Sequence, residues 1–315
     1  MRETNTHFPS AETLNDTIYE DGIAFVKGGL PVEWADQLNK DVTWEFMNAL
    51  TVPGGTVSRG FNRFYFEPYA ELTPGFIDLA SHVAVAGVSK YMLGDNYKIV
   101  EWGSDLPLPG AEDQWPHRDF PMPTITATQR KLVSLAVNAS CIDVEENNAP
   151  FRFAKGTQFD DGSNFVGNEG DPDSIGGMFP VDEERDMYES RMETILGKRG
   201  NFSIRSGLAI HGGSASETNN SRLRPTVILG IVAPEDRAWV ASAEDLRVRN
   251  DNHVPRIRVS NQYLNFLDDN KPELLQHLSY EVVAETTADL PPYYSHHDFE
   301  GLIMGNDPQL ERNKK

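Results

Sequence analysis

Cysteine is nearly missing from this chain: Cys141 stands alone among 315 residues. An internal disulfide and a thiolate-bound metal cluster are thereby excluded, and any metal site would have to use histidines and carboxylates. Positive charge is scarce too, with 28 Lys+Arg against 48 Asp+Glu and a net charge of −20 at pH 7. That field repels polyanions and anionic lipid surfaces, so neither nucleic acid nor a membrane is an expected partner. No apolar run reaches the roughly 18 residues that would suggest a bilayer span. The opening Met1-Arg2-Glu3-Thr4-Asn5 carries no apolar segment of the secretory kind, so a cytoplasmic location is expected. Internal repeats, low-complexity tracts and long Gly/Ser or Pro-rich linkers are lacking as well, which favours a single domain over 1–315. The nucleophile and zinc-protease signatures G-x-S-x-G and H-E-x-x-H do not occur.

What is present is enough apolar residue, 39% of the chain, to bury a full core. The apolar run Ile23-Ala24-Phe25-Val26 follows the turn Asp21-Gly22, and Pro31 suits the first turn of a helix reaching about Leu50. In that helix Trp34, Leu38, Val42 and Phe46 recur every four residues, which predicts one buried stripe. A second helix is predicted over Phe76 to Met92, ending at Gly94. From Tyr97 the pattern turns to short β segments: Tyr97 to Trp102, Lys131 to Ile142, Phe151 to Ala154, Asn201 to Arg205 and Thr226 to Val232. This is the pattern of a sandwich or barrel, with its core at about 97–234. Between Gly156 and Gly200 lies a long acidic, Gly-rich insertion with a charged helix near Asp182 to Leu196, expected to act as a lid or binding loop. Helical segments return at Asn261 to Leu267 and Pro272 to Leu278, expected on the outside of the barrel.

Three residues stand out chemically. In Trp115-Pro116-His117-Arg118-Asp119-Phe120 an imidazole and a carboxylate are two apart, which on extended chain places both on one face. His211, at the end of the apolar run Gly207-Leu208-Ala209-Ile210, can complete a two-His, one-carboxylate facial triad that leaves adjacent coordination positions open. A second H-x-D, at His296-His297-Asp298, is followed by no further His and Arg. By contrast His211 is followed by Arg224 at the start of an apolar strand, where a guanidinium can pair with a dicarboxylate. Trp115 shares the parity of His117 and Asp119 and is a candidate pocket wall, whereas Phe120 has the parity of scaffold. Ser134, Asn138 and Ser140 share one strand face and can hydrogen-bond a cosubstrate or substrate.

These residues resemble the phytanoyl-CoA dioxygenase-like branch of the Fe(II)/2-oxoglutarate-dependent dioxygenases, and the resemblance covers most of the chain. Tyr19 to Gly28 and the helix after Pro31 are similar to the family's opening, and His117-Arg118-Asp119-Phe120 to its H-x-D ligand pair. Glu146 to Gln158 resembles the segment the family writes as N-G-x-L and, after a few residues, P-G-S-H. Here Ala149 stands for the glycine and Lys155-Gly156-Thr157-Gln158 for P-G-S-H, a departure within a mainly structural turn. His211 to Arg222 is similar to the stretch H-x-S-x-x-N-x-S leading to an arginine.

The resemblance implies a double-stranded β-helix (jelly-roll) core flanked by N- and C-terminal helices. It implies Fe(II) held by His117, Asp119 and His211, with 2-oxoglutarate as cosubstrate alongside O2. Two arginines compete for the cosubstrate's distal carboxylate: Arg222 has the commoner spacing, while Arg224, the preferred one, better matches the following strand. Asn138 aligns with a position that often contacts 2-oxoglutarate; an inward polar residue bonded to backbone is the other reading. The activity implied is oxidation of an unactivated C–H of a small organic metabolite, with succinate and CO2 as by-products. Hydroxylation is the default, and desaturation, cyclisation, rearrangement or endoperoxidation are open. No amino-acid nucleophile or general base beyond the metal ligands is required, and Asp119 disfavours halogenation, which needs that carboxylate replaced. The negative charge favours a free metabolite over an acyl-CoA, as in tailoring steps of secondary metabolism, by a monomer or homodimer. A cupin-like metal-binding protein, or a metal enzyme independent of 2-oxoglutarate, is the alternative from the same residues.

Overall fold

Residues 8–167, 174–219, 223–233 and 257–293 are described by the structure, a computed structural model. In chain order the strands are β1 (Ile23–Val26), β2 (Val57–Ser58), β3 (Arg63–Phe66), β4 (Lys98–Pro107), β5 (Met122–Pro123), β6 (Ser134–Ser140), β7 (Phe151–Ala154), β8 (Ser174–Ile175), β9 (Met192–Ile195), β10 (Phe202–Arg205), β11 (His211–Gly213), β12 (Thr226–Val232), β13 (Ile257–Ser260) and β14 (Tyr280–Ala284). The α-helices are α1 (Ala11–Asp21), α2 (Val32–Leu50), α3 (Gly75–Ala80), α4 (Val83–Leu93), α5 (Thr124–Gln129), α6 (Asp182–Arg191), α7 (Asn261–Asn270) and α8 (Pro272–Leu275). Among these residues no helix is long and apolar enough to cross a membrane.

Alternation in the central strands generates the architecture. Leu135, Val137 and Ala139 of β6, Val227, Leu229 and Ile231 of β12, and Phe202 and Ile204 of β10 all enter one large apolar cluster. It also takes in Leu38, Val42 and Phe46 of α2 and Val85 and Val88 of α4. Burying each of these Leu, Ile, Val and Phe side chains contributes about 1.5–3 kcal/mol, so this face of the sheet is committed to the helices. The opposite face, one residue out of step, carries Ser134, Ala136, Asn138 and Ser140 on β6 and Ser203 and Arg205 on β10. A seven-stranded antiparallel sheet in the order β1-β10-β6-β12-β4-β3-β2 presents that polar face inward. The smaller sheet, β11-β7-β9, and a bridge between His117 and His211 belong to the other half of a jelly-roll.

Several predicted boundaries move. The segment predicted as one helix over Phe76 to Met92 is two, α3 and α4, because His82 breaks out to cap α4: its Nδ1 accepts from the Ala84 N–H at 3.2 Å. The strand expected to end at Trp102 runs on to Pro107, through Gly103, where a side chain would collide with the Tyr65 phenol. The sheet is also not confined to 97–234, since β1, β2 and β3 join it. Within the insertion the charged helix stops at Arg191, and Met192–Ile195 becomes β9, paired with β7. Among the described residues of the insertion, Ser174–Ile175 pairs with Met122–Pro123, and Phe165 meets Tyr188 edge-on. Predicted residues 168–173 and 294–315, including His296-His297-Asp298, lie outside the described residues.

The departure at Ala149 has a measurable cost. Ala149 is fully buried with φ +59°, the left-handed region that a Cβ disfavours by roughly 1–2 kcal/mol. It is held there by Asn148, whose Oδ1 accepts from the Glu145 N–H at 2.9 Å and whose Nδ2 donates to the Asp143 carbonyl at 2.8 Å. Ala149→Gly is expected to stabilise the fold by about 0.5–1 kcal/mol. A urea titration showing a higher midpoint at unchanged slope would bear this out; a lower midpoint would refute the strain.

Candidate metal centre

His117 lies between β4 and β5 and His211 opens β11, and the two exchange backbone hydrogen bonds, N–H to carbonyl, at 2.9 and 3.0 Å. This pairing sets the imidazoles side by side, ring centroids 4.4 Å apart. Asp119 is fixed two residues on by its own N–H, which donates to the Gly207 carbonyl at 2.8 Å. The donor atoms of His117, Asp119 and His211 all fall within 4.8 Å of one another, with His211 Nε2 3.2 Å from Asp119 Oδ1. For metal–ligand bonds of about 2.1 Å, cis positions of an octahedron lie about 3 Å apart, so that separation fits a shared ion.

Both imidazoles are held in the tautomer a ligand needs. Each Nδ1 lies against a carbonyl, His117 against Trp115 at 2.7 Å and His211 against Ala209 at 2.9 Å, and a carbonyl only accepts. Nδ1 therefore carries the proton and Nε2 offers its lone pair. Burial pushes both imidazoles down from their ordinary pKa, His117 well down with His211 beside it, and His211 with help from the Arg205 guanidinium. Burial alone would raise the Asp119 carboxyl, but Arg205 and then His211 more than offset it and hold it well below the usual carboxylate range. Neutral imidazoles and an ionised carboxylate are the ligand states a divalent cation requires.

Arg205 was not singled out by sequence. It projects from the inner face of β10 and grips Asp119 through Nη1–Oδ2 at 2.6 Å and Nη2–Oδ1 at 3.3 Å. The signal was available: in Phe202-Ser203-Ile204-Arg205 the arginine has the parity opposite to the core residues. Arg118, between the two ligands, has the opposite orientation. Fully buried, it donates from Nε to the Leu208 carbonyl at 2.9 Å and from Nη2 to the Asp160 carbonyl. It thus pins the insertion behind the ligands. Where the family writes P-G-S-H, Thr157 Oγ1 accepts from the Ile210 N–H at 2.8 Å, a structural role next to His211.

A second cluster occupies the other end of the inner face. Arg224, 4% exposed, donates to Thr226 Oγ1 at the start of β12, and its Nε has no partner among the described residues. Burial lowers its pKa to about 10, with Asp105 pulling it up and Arg63 pushing it down, so it remains a cation at neutral pH. Arg63, 1% exposed, pairs with Asp105 at 2.9 Å and donates to the Ser214 carbonyl at 2.7 Å. Two buried guanidiniums beside one carboxylate leave a positive excess that a small anion would neutralise. Arg222 lies outside the described residues.

The other predicted residues are dispersed. Asn138 is half-buried on the inner face, and its Oδ1 has no partner among the described residues, so backbone bonding of that atom is not seen. Ser134 is buried on the same face with its hydroxyl likewise unpartnered, and Ser140 donates to the Ile142 carbonyl at 2.8 Å. Trp115 is half-buried with the Arg185 guanidinium of α6 over its ring at 4.3 Å, linking the insertion to the ligand loop. Phe120 enters the apolar cluster, as its parity predicts.

No protein-family model matches this chain, and no curated protein matches it in sequence. Solved structures do match in fold. EctD from S. alaskensis, crystallised with 2-oxoglutarate and 5-hydroxyectoine, is 17% identical with a TM-score of 0.53, over 74% of this chain and 79% of that one. EctD with bound Fe gives 16% identity and a TM-score of 0.51 over the same shares. The epimerase SnoN, in complex with Fe3+, alpha ketoglutarate and nogalamycin RO, is 17% identical with a TM-score of 0.50, over 70% of this chain and 83% of that one. At these identities the likeness is one of fold.

If the three residues form a metal site, His211→Ala should weaken binding of Co(II) by at least about a hundredfold in anaerobic calorimetry, while the far-UV circular dichroism stays unchanged. Binding equal to that of the unaltered protein would remove His211 from the site.

Proposed function

We propose that this protein is an Fe(II)/2-oxoglutarate-dependent dioxygenase that oxidises an unactivated C–H of a small organic metabolite. The observation that carries the reading is one inner sheet face serving two groups: a preset His117–Asp119–His211 triad at one end and the buried, incompletely paired Arg224 at the other. Hydroxylation is the default outcome, in a tailoring step of secondary metabolism, and the protein would work in the cytoplasm as a monomer or homodimer.

When bound, iron and 2-oxoglutarate would supply the oxidising power, coupling loss of CO2 from the cosubstrate to attack on a substrate C–H. The chain's own residues do the positioning. His117 and His211 present neutral Nε2 atoms because their Nδ1 protons are committed to carbonyls. Asp119 stays ionised beside Arg205, and with Oδ2 closest to Arg205, Oδ1 is the oxygen turned toward His211. Arg224 would receive the distal carboxylate of the cosubstrate, with Thr226 holding the guanidinium in line and Arg63–Asp105 packed behind it. Asn138, between the two ends on β6, would contact the cosubstrate, and Ser134 and Trp115 would line the pocket.

Anaerobic titration of Fe(II) with and without 2-oxoglutarate tests the assignment, read through the weak visible charge-transfer band of the chelate. A band is expected in the unaltered protein. In Arg224→Ala the 2-oxoglutarate affinity should fall at least about tenfold, about 1.4 kcal/mol or more, while Arg222→Ala should change it little. The reverse pattern would transfer the anchor to Arg222. Bound iron without any band would support a cupin-like metal-binding protein or a metal enzyme that does not use 2-oxoglutarate.

A further inference from the structure

Across the inner face of the large sheet, one row of paired residues reads Arg205, Ala136, Gly230, Glu101, running from β10 through β6 and β12 to β4. Its two ends are charged and its two middle members are the smallest available. Strands lie about 4.8 Å apart, so Ala136 and Gly230 leave a trough between Arg205, which holds Asp119, and the side chain of Glu101. Glu101 lies on the inner face yet is only half-buried, and Asp119 keeps 27% of its side chain exposed, so the carboxylates at both ends of the trough keep some exposure.

The direction of Glu101 is built in by glycines. A Cβ at Gly230 would sit 2.7 Å from Glu101 Cβ and 2.9 Å from its Oε2, so the carboxylate lies over β12 toward the metal ligands only because residue 230 has no side chain. Gly103 does the same for the residue behind it: a Cβ there would collide with the Tyr65 phenol. Tyr65, fully buried, uses that space to donate its hydroxyl to Glu101 Oε1 at 2.8 Å. Burial and the neighbouring carboxylates Glu101 and Glu67 push the phenol pKa well up, so Tyr65 remains a donor. Oε2 is left over Gly230 with acceptor capacity. Nearby on the same face, the buried Ser134 hydroxyl and Asn138 Oδ1 lack partners among the described residues.

We propose that Glu101, braced by Tyr65, is the specificity-determining residue of this site and that it receives a protonated amine of the substrate. Glu101 pairs with Gly230, whereas Arg224 stands six residues earlier on the chain, before β12 begins. A carboxylate there repels a dianionic cosubstrate, so its ligand is the second molecule. A carboxylate accepts and never donates, and an ammonium supplies both the opposite charge and the hydrogens that Oε2 can take. The inference rests on the reading of the site given above, and it extends that reading to the class of substrate.

The test uses Zn(II)-loaded protein, with and without 2-oxoglutarate, and three probes of one shape: benzylamine, benzyl alcohol and benzoate. Affinities are read by ligand-observed NMR titration. Benzylamine should bind at least about tenfold more tightly than benzyl alcohol, as expected for hydrogen bonds to a charged group, and benzoate most weakly. In Glu101→Gln, nearly identical in shape, the preference for the amine should vanish while 2-oxoglutarate affinity stays within about twofold. Tyr65→Phe should retain part of the preference. The proposal is overturned if the amine does not bind, if the alcohol or benzoate binds as well, or if Glu101→Gln keeps the preference. An amine preference with no binding of 2-oxoglutarate by the unaltered protein would instead leave Glu101 standing and remove the cosubstrate reading.

Discussion

The ion pair between Asp119 and Arg205 joins the two things this molecule must keep in register, a ligand-bearing loop and the inner face of a sheet. Asp119 lies on irregular chain, and without an external brace its carboxylate would have several rotamers available. Arg205 supplies the brace from the rigid strand β10, which is itself hydrogen-bonded to β1 on one side and β6 on the other. The approach is close enough that Gly207 cannot carry a side chain, since a Cβ there would lie 2.9 Å from Asp119 Oδ2. A buried pair of this kind gains little net stability because both ions lose water. Its return is positional: Oδ2 takes the shorter bond from Arg205, and Oδ1, held by Arg205 at 3.3 Å, is aimed at His211.

The same accounting of buried charge explains the other end of the barrel. Arg63 and Arg224 are nearly sealed from solvent, and Asp105 offers one carboxylate to the two of them. Guanidinium desolvation is costly, and the Ser214 carbonyl and Thr226 hydroxyl compensate only part of it. An arrangement left positive in this way is poor as a core and suitable as a receptor for an anion. Arg118 is used differently: its guanidinium donates to two backbone carbonyls and lies over the ring of Phe165, holding the insertion with no carboxylate paired to it among the described residues.

The outward face of the sheet was legible in the sequence because burial against helices imposes a strict apolar alternation, and Thr226–Val232 and Phe151–Ala154 were located to the residue. The triad was legible for a different reason, in that a spacing of two on extended chain is itself geometric information. Boundaries failed where a tertiary contact overrode local preference. Gly103 reads as a turn signal and is in fact room for Tyr65, and His82 reads as helix interior and is in fact a cap. β9 was hidden because Met192-Glu193-Thr194-Ile195 has an exposed middle, so its pairing with β7 leaves little hydrophobic trace. Arg63, Arg205, Glu101 and Tyr65 were missed as a group, since an inward-facing charge in a strand looks like a solvent-facing one until the sheet shows which side is closed.

That ambiguity of inner and outer polar faces is what gives the inner glycines their meaning. On a surface strand a glycine only weakens the sheet, and a sequence with two of them, Gly103 and Gly230, opposite other strands looks locally disfavoured. Here each is adjacent to a large polar side chain that lies flat across it, Tyr65 over Gly103 and Glu101 over Gly230. The strand stability given up at these positions is converted into direction: Glu101 is laid along the row that ends at Arg205, and Tyr65 is laid across Gly103 to reach it. Local sequence rules therefore fail at the positions where the barrel exchanges packing for a shaped and charged interior, which is the expected signature of a working site.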